Sequence, residues 1–296
     1  MIIKGNKRLN KVEFKVEKEL QSYVEKNMSE ILNCKFIDTE VAVGNIRLDS
    51  LGYDEENNAF VIVEYKKVEN AGLVDQGYSY LALMLDRKEA FVLRYNNVTK
   101  QNKEAKDFDW SQTRIIFVSP YFTQRQIEST SFSNMPFDLI KATKYEDDIY
   151  EFETIGKNEN IKADFNIESE SVRKVNKEIK VYTEAELLSK TSVEMQELYN
   201  KLKEAVLSLG DINVKPTKLY IAFKGKGNIF DVEPYKNFLK LTINLKKGEM
   251  VDQLGITRLV DEIGHHGNGD YELKLDKEEQ IEDIMYLIKQ SYKINQ

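Results

Sequence analysis

Apolar positions recur with two different periods along the first half of the chain. Val12 to Met28 carries Phe14, Leu20, Tyr23, Val24 and Met28 at near-helical spacing with acids and lysines between them, which predicts an opening amphipathic helix. Phe36 to Val43 and Gly44 to Tyr53 alternate as strands do, and Ala59 to Lys66 is an apolar, β-branched run that predicts a central strand. Gly72 to Leu85 returns to helical spacing, with Val74, Tyr78, Leu81 and Leu85 on the inward side. Ala90 to Tyr95 (AFVLRY), Arg114 to Ser119 (RIIFVS, ended by Pro120) and Phe137 to Lys144 predict further strands, with a helix over Phe122 to Ser129. The order opens α-β-β-β-α-β, an α/β (α+β) arrangement in which a mixed sheet is flanked by helices.

From Gly156 to Lys180 the chain is polar, charged and poor in aromatics, which predicts a linker between a domain of residues 1–155 and a second, smaller α+β domain of residues 181–296. Helical periodicity resumes over Glu184 to Leu209 (Leu187, Met195, Leu198, Leu202, Val206), with Thr183 as N-cap and Gly210 as stop. Leu219 to Phe223 and Phe238 to Leu245 alternate like paired strands, and Glu278 to Ile294 closes the chain as an amphipathic helix. His265 and His266 fall in a loop with Gly264, Gly267 and Gly269. Adjacent histidines diverge and no cysteine accompanies them, so tight turns are the better reading than a metal site. Lys218, Tyr220, Phe223, Lys224 and Lys226 mix basic and aromatic groups as a nucleic-acid platform would, yet Leu219, Ile221 and Phe223 equally describe a core strand.

At 296 residues and 41% hydrophobic content the chain is long enough for two cores. It has no apolar run near the roughly 20 residues that span a bilayer, and its N-terminus lacks the apolar stretch of a secretory signal; both predict a cytoplasmic protein with no membrane partner. The single Cys34 excludes an internal disulfide and a cysteine-cluster metal site. A net charge of −7 argues against a protein that blankets nucleic acid with positive charge, but it leaves room for an enzyme that gathers carboxylates around divalent cations. Lys66, Lys67, Arg87, Lys88 and Arg94 are the candidates for a local basic groove, and Lys67, Arg87 and Lys88 for direct nucleic-acid contacts.

The densest chemistry lies between Arg47 and Lys67, RLDSLGYDEENNAFVIVEYKK. The turn formers Asp54 to Asn58 between two strand-like runs predict a β-hairpin, with Asp49 toward the end of the first strand and Glu64, Tyr65 and Lys66 toward the end of the second. Period-2 alternation then puts Glu64 and Lys66 on one face. Two carboxylates, Asp49 and Glu64, and the ammonium of Lys66 can then converge, the carboxylates being hard oxygen donors suited to Mg2+ or Mn2+.

The spacing Asp-x14-Glu-x-Lys, preceded by a helix with Glu17-Lys18-Glu19-Leu20, resembles the PD-(D/E)xK nuclease superfamily over the first half of the chain. It is nearest the Holliday-junction resolvase-like and mismatch-endonuclease-like branch. The matching elements are Glu17 to Leu20, Arg47 to Asp49 and Glu64 to Lys66, and Leu48 stands where the family pattern has proline. The resemblance implies a Mg2+-dependent endonuclease acting on DNA, as a homodimer in the manner of many related nucleases, with Glu17, Asp49, Glu64 and Lys66 catalytic; Asp49, Glu64 and the main-chain carbonyl of Tyr65 would then hold the metal, and Lys66 would either handle the attacking water or offset negative charge. The alternative is an inactive nuclease fold that binds nucleic acid or protein. Glu17 and Glu19 point about 200° apart on a helix, so one of them faces the site, and Glu17 holds the family position. Gln76 and Tyr80 form a Q-x-x-x-Y pair like that of RecB-like nucleases, at i and i+4 over one face, where they would support the lysine or touch DNA backbone. Lys215 to Asn244 and Gly264 to Tyr271 resemble an uncharacterised domain fused to such nucleases in chains described as predicted transport proteins.

Overall fold

The computed structural model describes residues 2–66, 72–132, 134–156, 169–262 and 268–295. The chain divides into two units, Met1–Val181 and Tyr182–Gln296.

In the first unit, β1 (Ile2–Lys4) and β2 (Lys7–Leu9) form a separate hairpin. There follow β3 (Lys11–Val12), α1 (Glu17–Lys26), α2 (Met28–Leu32), β4 (Lys35–Val43), β5 (Ile46–Asp54), β6 (Ala59–Tyr65), α3 (Leu73–Asp86) and α4 (Lys88–Thr99). The unit continues with β7 (Arg114–Ser119), α5 (Gln124–Thr130), β8 (Phe137–Tyr145), β9 (Ile149–Ile155) and α6 (Glu170–Glu178). One mixed sheet runs β3-β8-β7-β6-β5-β4, with β9 paired to β8. The β4-β5-β6 stretch is an antiparallel meander, whereas β6, β7 and β8 are parallel.

Every residue of β6 is buried, and its alternation sorts two cores. Phe60 and Ile62 join Leu51, Tyr53, Ile115, Phe117 and Phe137 beneath α3 and α4. Val61, Val63 and Tyr65 join Leu20, Val24 and Met28 of α1 and α2, with Ile116 and Val118, on the opposite face. Helix α3 lies close to the sheet at Gly77, where a Cβ would stand 2.7 Å from the Phe137 ring. That approach brings the neighbouring Gln76 over the end of β6.

Three sequence expectations in this unit are revised. The opening helix starts at Glu17, because Lys11–Val12 pairs with β8 and Val16 is extended. Ala90 to Tyr95 lies within helix α4, not in a strand: Phe91, Val92 and Tyr95 are buried at i, i+1 and i+4, while Leu93, which a strand would place with Phe91 and Tyr95, is 60% exposed. The stretch read as a charged linker supplies α6, and Val175 of that helix and Ile179 just after it are buried in the α3–α4 core. Its charges pair with the end of α3 and the start of α4, Lys174 with Asp86 and Glu178 with Lys88. A narrow apolar stripe on a mostly charged helix leaves the mean composition polar.

The second unit packs α8 (Val193–Leu207) and α9 (Ile281–Asn295) against one face of an antiparallel sheet; α7 (Glu184–Leu188) precedes α8. Its strands are β10 (Asn213–Pro216), β11 (Ile221–Lys224), β12 (Asn228–Tyr235), β13 (Phe238–Ile243), β14 (Arg258–Leu259) and β15 (Tyr271–Leu275), in the order β10-β11-β12-β13-β15-β14. The single helix predicted over Glu184 to Leu209 is two, because Ser192 caps a new start and accepts from Met195 N–H, while Thr183 caps α7. The two strands expected to pair are separated by β12, which pairs with both. Ile221 and Phe223 are fully buried in β11 as the core reading has them, whereas Leu219 precedes the strand and is 41% exposed. His265 and His266 lie outside the described residues. No helix among the described residues is long and apolar enough to cross a membrane.

Candidate active site

Local hydrogen bonds close the β5–β6 hairpin. Asp54 accepts from the main-chain N–H of Asn57 at 3.1 Å and from its side-chain amide at 2.9 Å, and Asn58 turns the chain at a φ of 50°. The register pairs Ser50 with Val63, which sets Asp49 beside Glu64. Antiparallel pairing therefore requires Asp49 in the first half of its strand, not toward the end as the sequence suggested. The Tyr65 N–H donates to Asp49 Oδ2 at 3.0 Å, so the two candidate carboxylates are tied through main chain.

Glu64 and Lys66 share a face as alternation predicts, with Lys66 Nζ donating to Glu64 Oε1 at 2.6 Å. Lys66 N–H donates to Val118 O of the parallel neighbour β7, so the lysine leaves the sheet at the carboxyl end of parallel strands, where open α/β sheets place their ligands. From α3, Gln76 Nε2 donates to the same Glu64 oxygen at 3.0 Å and to the Tyr80 hydroxyl at 2.7 Å. The Gln76–Tyr80 pair thus joins the site, but it grips the glutamate and not the lysine.

Helix α1 approaches from its N-terminus. The charge of Glu17 acts on both Asp49 and Lys66. Glu19 is turned instead toward β8, accepting from Lys144 Nζ at 2.5 Å and from the Lys15 N–H at 2.7 Å. Of the two acids, Glu17 is the one whose field reaches the site.

Burial and the neighbouring Asp49 push the Glu64 carboxyl up to about 7. Asp49 is raised as well, mainly by burial, against the N–H of Tyr65 and the charge of Lys66. Burial opposes the charge on Lys66, but its bond to Glu64 and the charges of Glu64, Asp49 and Glu17 outweigh that and raise its pKa. Lys66 is therefore a firm cation, suited to offsetting negative charge more than to abstracting a proton. Glu64 Oε2 and Gln76 Oε1 are buried without a hydrogen-bond partner among the described residues, an arrangement that costs free energy unless something else occupies it. Two carboxylates, one with an unsatisfied oxygen, and the adjoining main chain of Tyr65 fit a hard divalent cation that keeps most of its waters. No group of three or more His, Cys, Asp or Glu placed to hold a metal occurs among the described residues.

Other expected residues are not brought here. Lys67 lies outside the described residues. Arg87 and Lys88 follow the far end of α3, about 16 Å along the helix axis from Gln76, and Lys88 is held by Glu178 and by the Trp110 ring at 5.3 Å. Arg94 pairs with Asp38 at 3.2 Å and Ala42 O at 2.8 Å. Sequence reading missed Gln21, Glu25 and Ser50, which lie behind Asp49. Their only sequence signal is polarity at positions of α1 and β5 that face the sheet.

Residues 184–295 match a family model described as a domain of unknown function, DUF5655. An uncharacterised protein of Haemophilus influenzae (strain ATCC 51907 / DSM 11121 / KW20 / Rd) is 41% identical over 290 residues, 97% of this chain and 96% of that one. Among solved structures, one titled "Structure of EndoMS-dsDNA2 complex" aligns over 44% of this chain and 47% of that chain at 22% identity, with a TM-score of 0.29.

Proposed function

This chain belongs to one family with the uncharacterised Haemophilus influenzae protein, and from the site in its N-terminal unit we propose that it is a metal-dependent nuclease of PD-(D/E)xK type, hydrolysing phosphodiester bonds of DNA. The observation that carries the reading is the convergence of Asp49, Glu64 and Lys66, with Gln76 on Glu64, at the carboxyl end of a buried central strand. Asp49, Glu64 and the Tyr65 carbonyl would hold Mg2+ or Mn2+. That ion supplies Lewis acidity toward the phosphate and a water acidic enough to attack near neutral pH.

The chain's own residues do the rest. Lys66 places a fixed positive charge where the non-bridging oxygens of an in-line displacement gain negative charge. Glu64 holds the ammonium in place, and Gln76 holds Glu64. Its bond to Glu64 and the charges of Glu64, Asp49 and Glu17 favour the protonated form of Lys66. DNA as substrate and pairing of two copies, one per strand, follow from the superfamily resemblance.

The test is incubation of purified protein with supercoiled, single-stranded and branched DNA plus Mg2+ or Mn2+. Cleavage that EDTA stops and that Asp49→Ala and Lys66→Ala each abolish is the expected result; cleavage indifferent to both substitutions removes these residues from the mechanism. A second reading, an inactive nuclease fold that binds nucleic acid or protein, is favoured by one observation, the occupation of Glu64 Oε1 by the Lys66 ammonium, with no group of three His, Cys, Asp or Glu placed to hold a metal among the described residues. Calorimetry with Mn2+ in the presence of DNA separates the two, since only the enzyme reading requires binding.

A further inference from the structure

Behind the candidate metal site, on the face of the sheet away from Lys66, a polar network is built around one carboxylate oxygen. Glu25 Oε1 of α1 accepts from Ser50 Oγ at 2.6 Å, from Thr39 Oγ1 at 2.7 Å and from Gln21 Nε2 at 2.9 Å. Gln21 Nε2 also donates to the main-chain oxygen of Asp49 at 2.9 Å, and Ser50 Oγ lies 3.3 Å from the Tyr65 hydroxyl. Gln21 is 4% exposed, and Ser50 and Tyr65 are fully buried.

The placement follows from strand alternation. Ser50 is the residue after Asp49, and Tyr65 the residue after Glu64, so each points to the α1 face while its carboxylate neighbour points to the other. Each candidate metal-holding acid is thus followed directly in the chain by a residue anchored to this network. Asp49 is fixed at both ends, its carbonyl by Gln21 and its Oδ2 by the Tyr65 N–H. For stability alone, apolar residues of similar shape would serve as well, because a buried hydrogen bond returns little beyond the desolvation it offsets. What a satisfied network adds is a unique geometry.

We infer that Gln21 and Glu25 are positioning residues of the metal site: from the back of the sheet they hold the main chain of Asp49 and Tyr65 where both can reach one divalent cation. The inference rests on the nuclease reading of the site, and it assigns neither residue contact with metal or substrate. It predicts that removing the network loosens metal binding while leaving the chemistry intact once metal saturates.

The experiment is calorimetric titration of the whole metal-free protein with Mn2+, beside cleavage measured across Mn2+ concentration. Gln21→Met, which keeps side-chain length and removes only its hydrogen bonds, is expected to weaken Mn2+ binding 10- to 100-fold. Its cleavage at saturating Mn2+ should stay within a few-fold of the parent, so the change falls on KM for metal and not on kcat. Glu25→Ala should behave likewise, and Glu25→Gln, which keeps an acceptor, should recover most of the affinity. Thr39→Val removes a bond to Glu25 and a 3.3 Å acceptor for Gln21 Nε2 while touching neither Asp49 nor Tyr65 directly; it should lower the melting temperature and cost clearly less Mn2+ affinity than Gln21→Met. Parent-like Mn2+ affinity in Gln21→Met and Glu25→Ala, or an equal loss in Thr39→Val, overturns the inference alone. A parent protein that binds no Mn2+ overturns the nuclease reading together with it.

Discussion

Gln76 Nε2 stands 3.0 Å from Glu64 Oε1, and this bond ties helix α3 to the acid that also receives Lys66. Gln76→Leu leaves Glu64 to Lys66 alone and frees its carboxylate to rotate. Cleavage is expected to fall ~10- to 100-fold, the usual effect of losing a residue that orients a metal-holding group. Tyr80→Phe removes only an acceptor for Gln76 and should cost far less. Initial rates on one DNA substrate at saturating Mg2+ check both, and a larger loss in Tyr80→Phe than in Gln76→Leu contradicts the order.

The raised carboxyl of Glu64 makes the metal-free fold dependent on pH. Its folded value of about 7 lies above the ordinary 4.5, so proton binding favours the folded state. That contribution is fully present below pH 4.5 and disappears as pH rises through 7, a swing on the order of 3 kcal/mol. Thermal melts in EDTA should show stability falling between pH 5 and pH 8, with Glu64→Gln flattening the slope. Mn2+ competes with the proton, so its stabilising effect should grow over the same interval.

Packing of α3 rests on the missing side chain of Gly77. An alanine there gains about 1 kcal/mol of helix propensity, but its Cβ would stand 2.7 Å from Phe137 Cε1 and 2.9 Å from Cζ. The ring is boxed by Tyr78 and Phe117 and cannot swing clear. Overpacking of this kind costs ~1–3 kcal/mol, so Gly77→Ala should be net destabilising and should also lower cleavage by lifting Gln76 from Glu64. An unchanged melt with parental activity would show that α3 shifts freely.

At the opposite end of β7, Arg114, its side chain 14% exposed, lies between Asp54 at 2.8 Å and Asp138 at 3.1 Å. Asp54 is 2% exposed and also holds the hairpin turn. Arg114→Leu strands a buried acid and should cost ~3–5 kcal/mol. The double variant Arg114→Leu with Asp54→Asn should recover much of that loss. Urea denaturation of the parent, the two single variants and the double variant measures the coupling, and strict additivity would show that the two residues do not depend on each other.

Much of this was legible in the chain because the relevant signals are local. The hairpin, the shared face of Glu64 and Lys66 and the i, i+4 placement of Gln76 and Tyr80 depend on periodicity within a few residues. Ala90 to Tyr95 misled because a short apolar run reads alike in both periods, and only the exposure of Leu93 decides. The α6 stripe hid within a charged stretch. Gln21, Glu25 and Ser50 were invisible for a different reason: they meet across 25 residues, and polarity on a helix face ordinarily means solvent. Lys88 looked free to touch DNA because nothing local reveals Glu178, ninety positions away.

Cys34, the chain's sole cysteine, is 2% exposed and packs where β4 begins, its Cβ lying near Gly52 of β5. A thiol reagent can reach it only when that corner opens. The rate of modification in native buffer is therefore a built-in clock for fluctuations of the meander that carries Asp49, readable by mass spectrometry without any introduced label. Slower modification on adding Mn2+ would time how far the ion quiets the strand proposed to hold it.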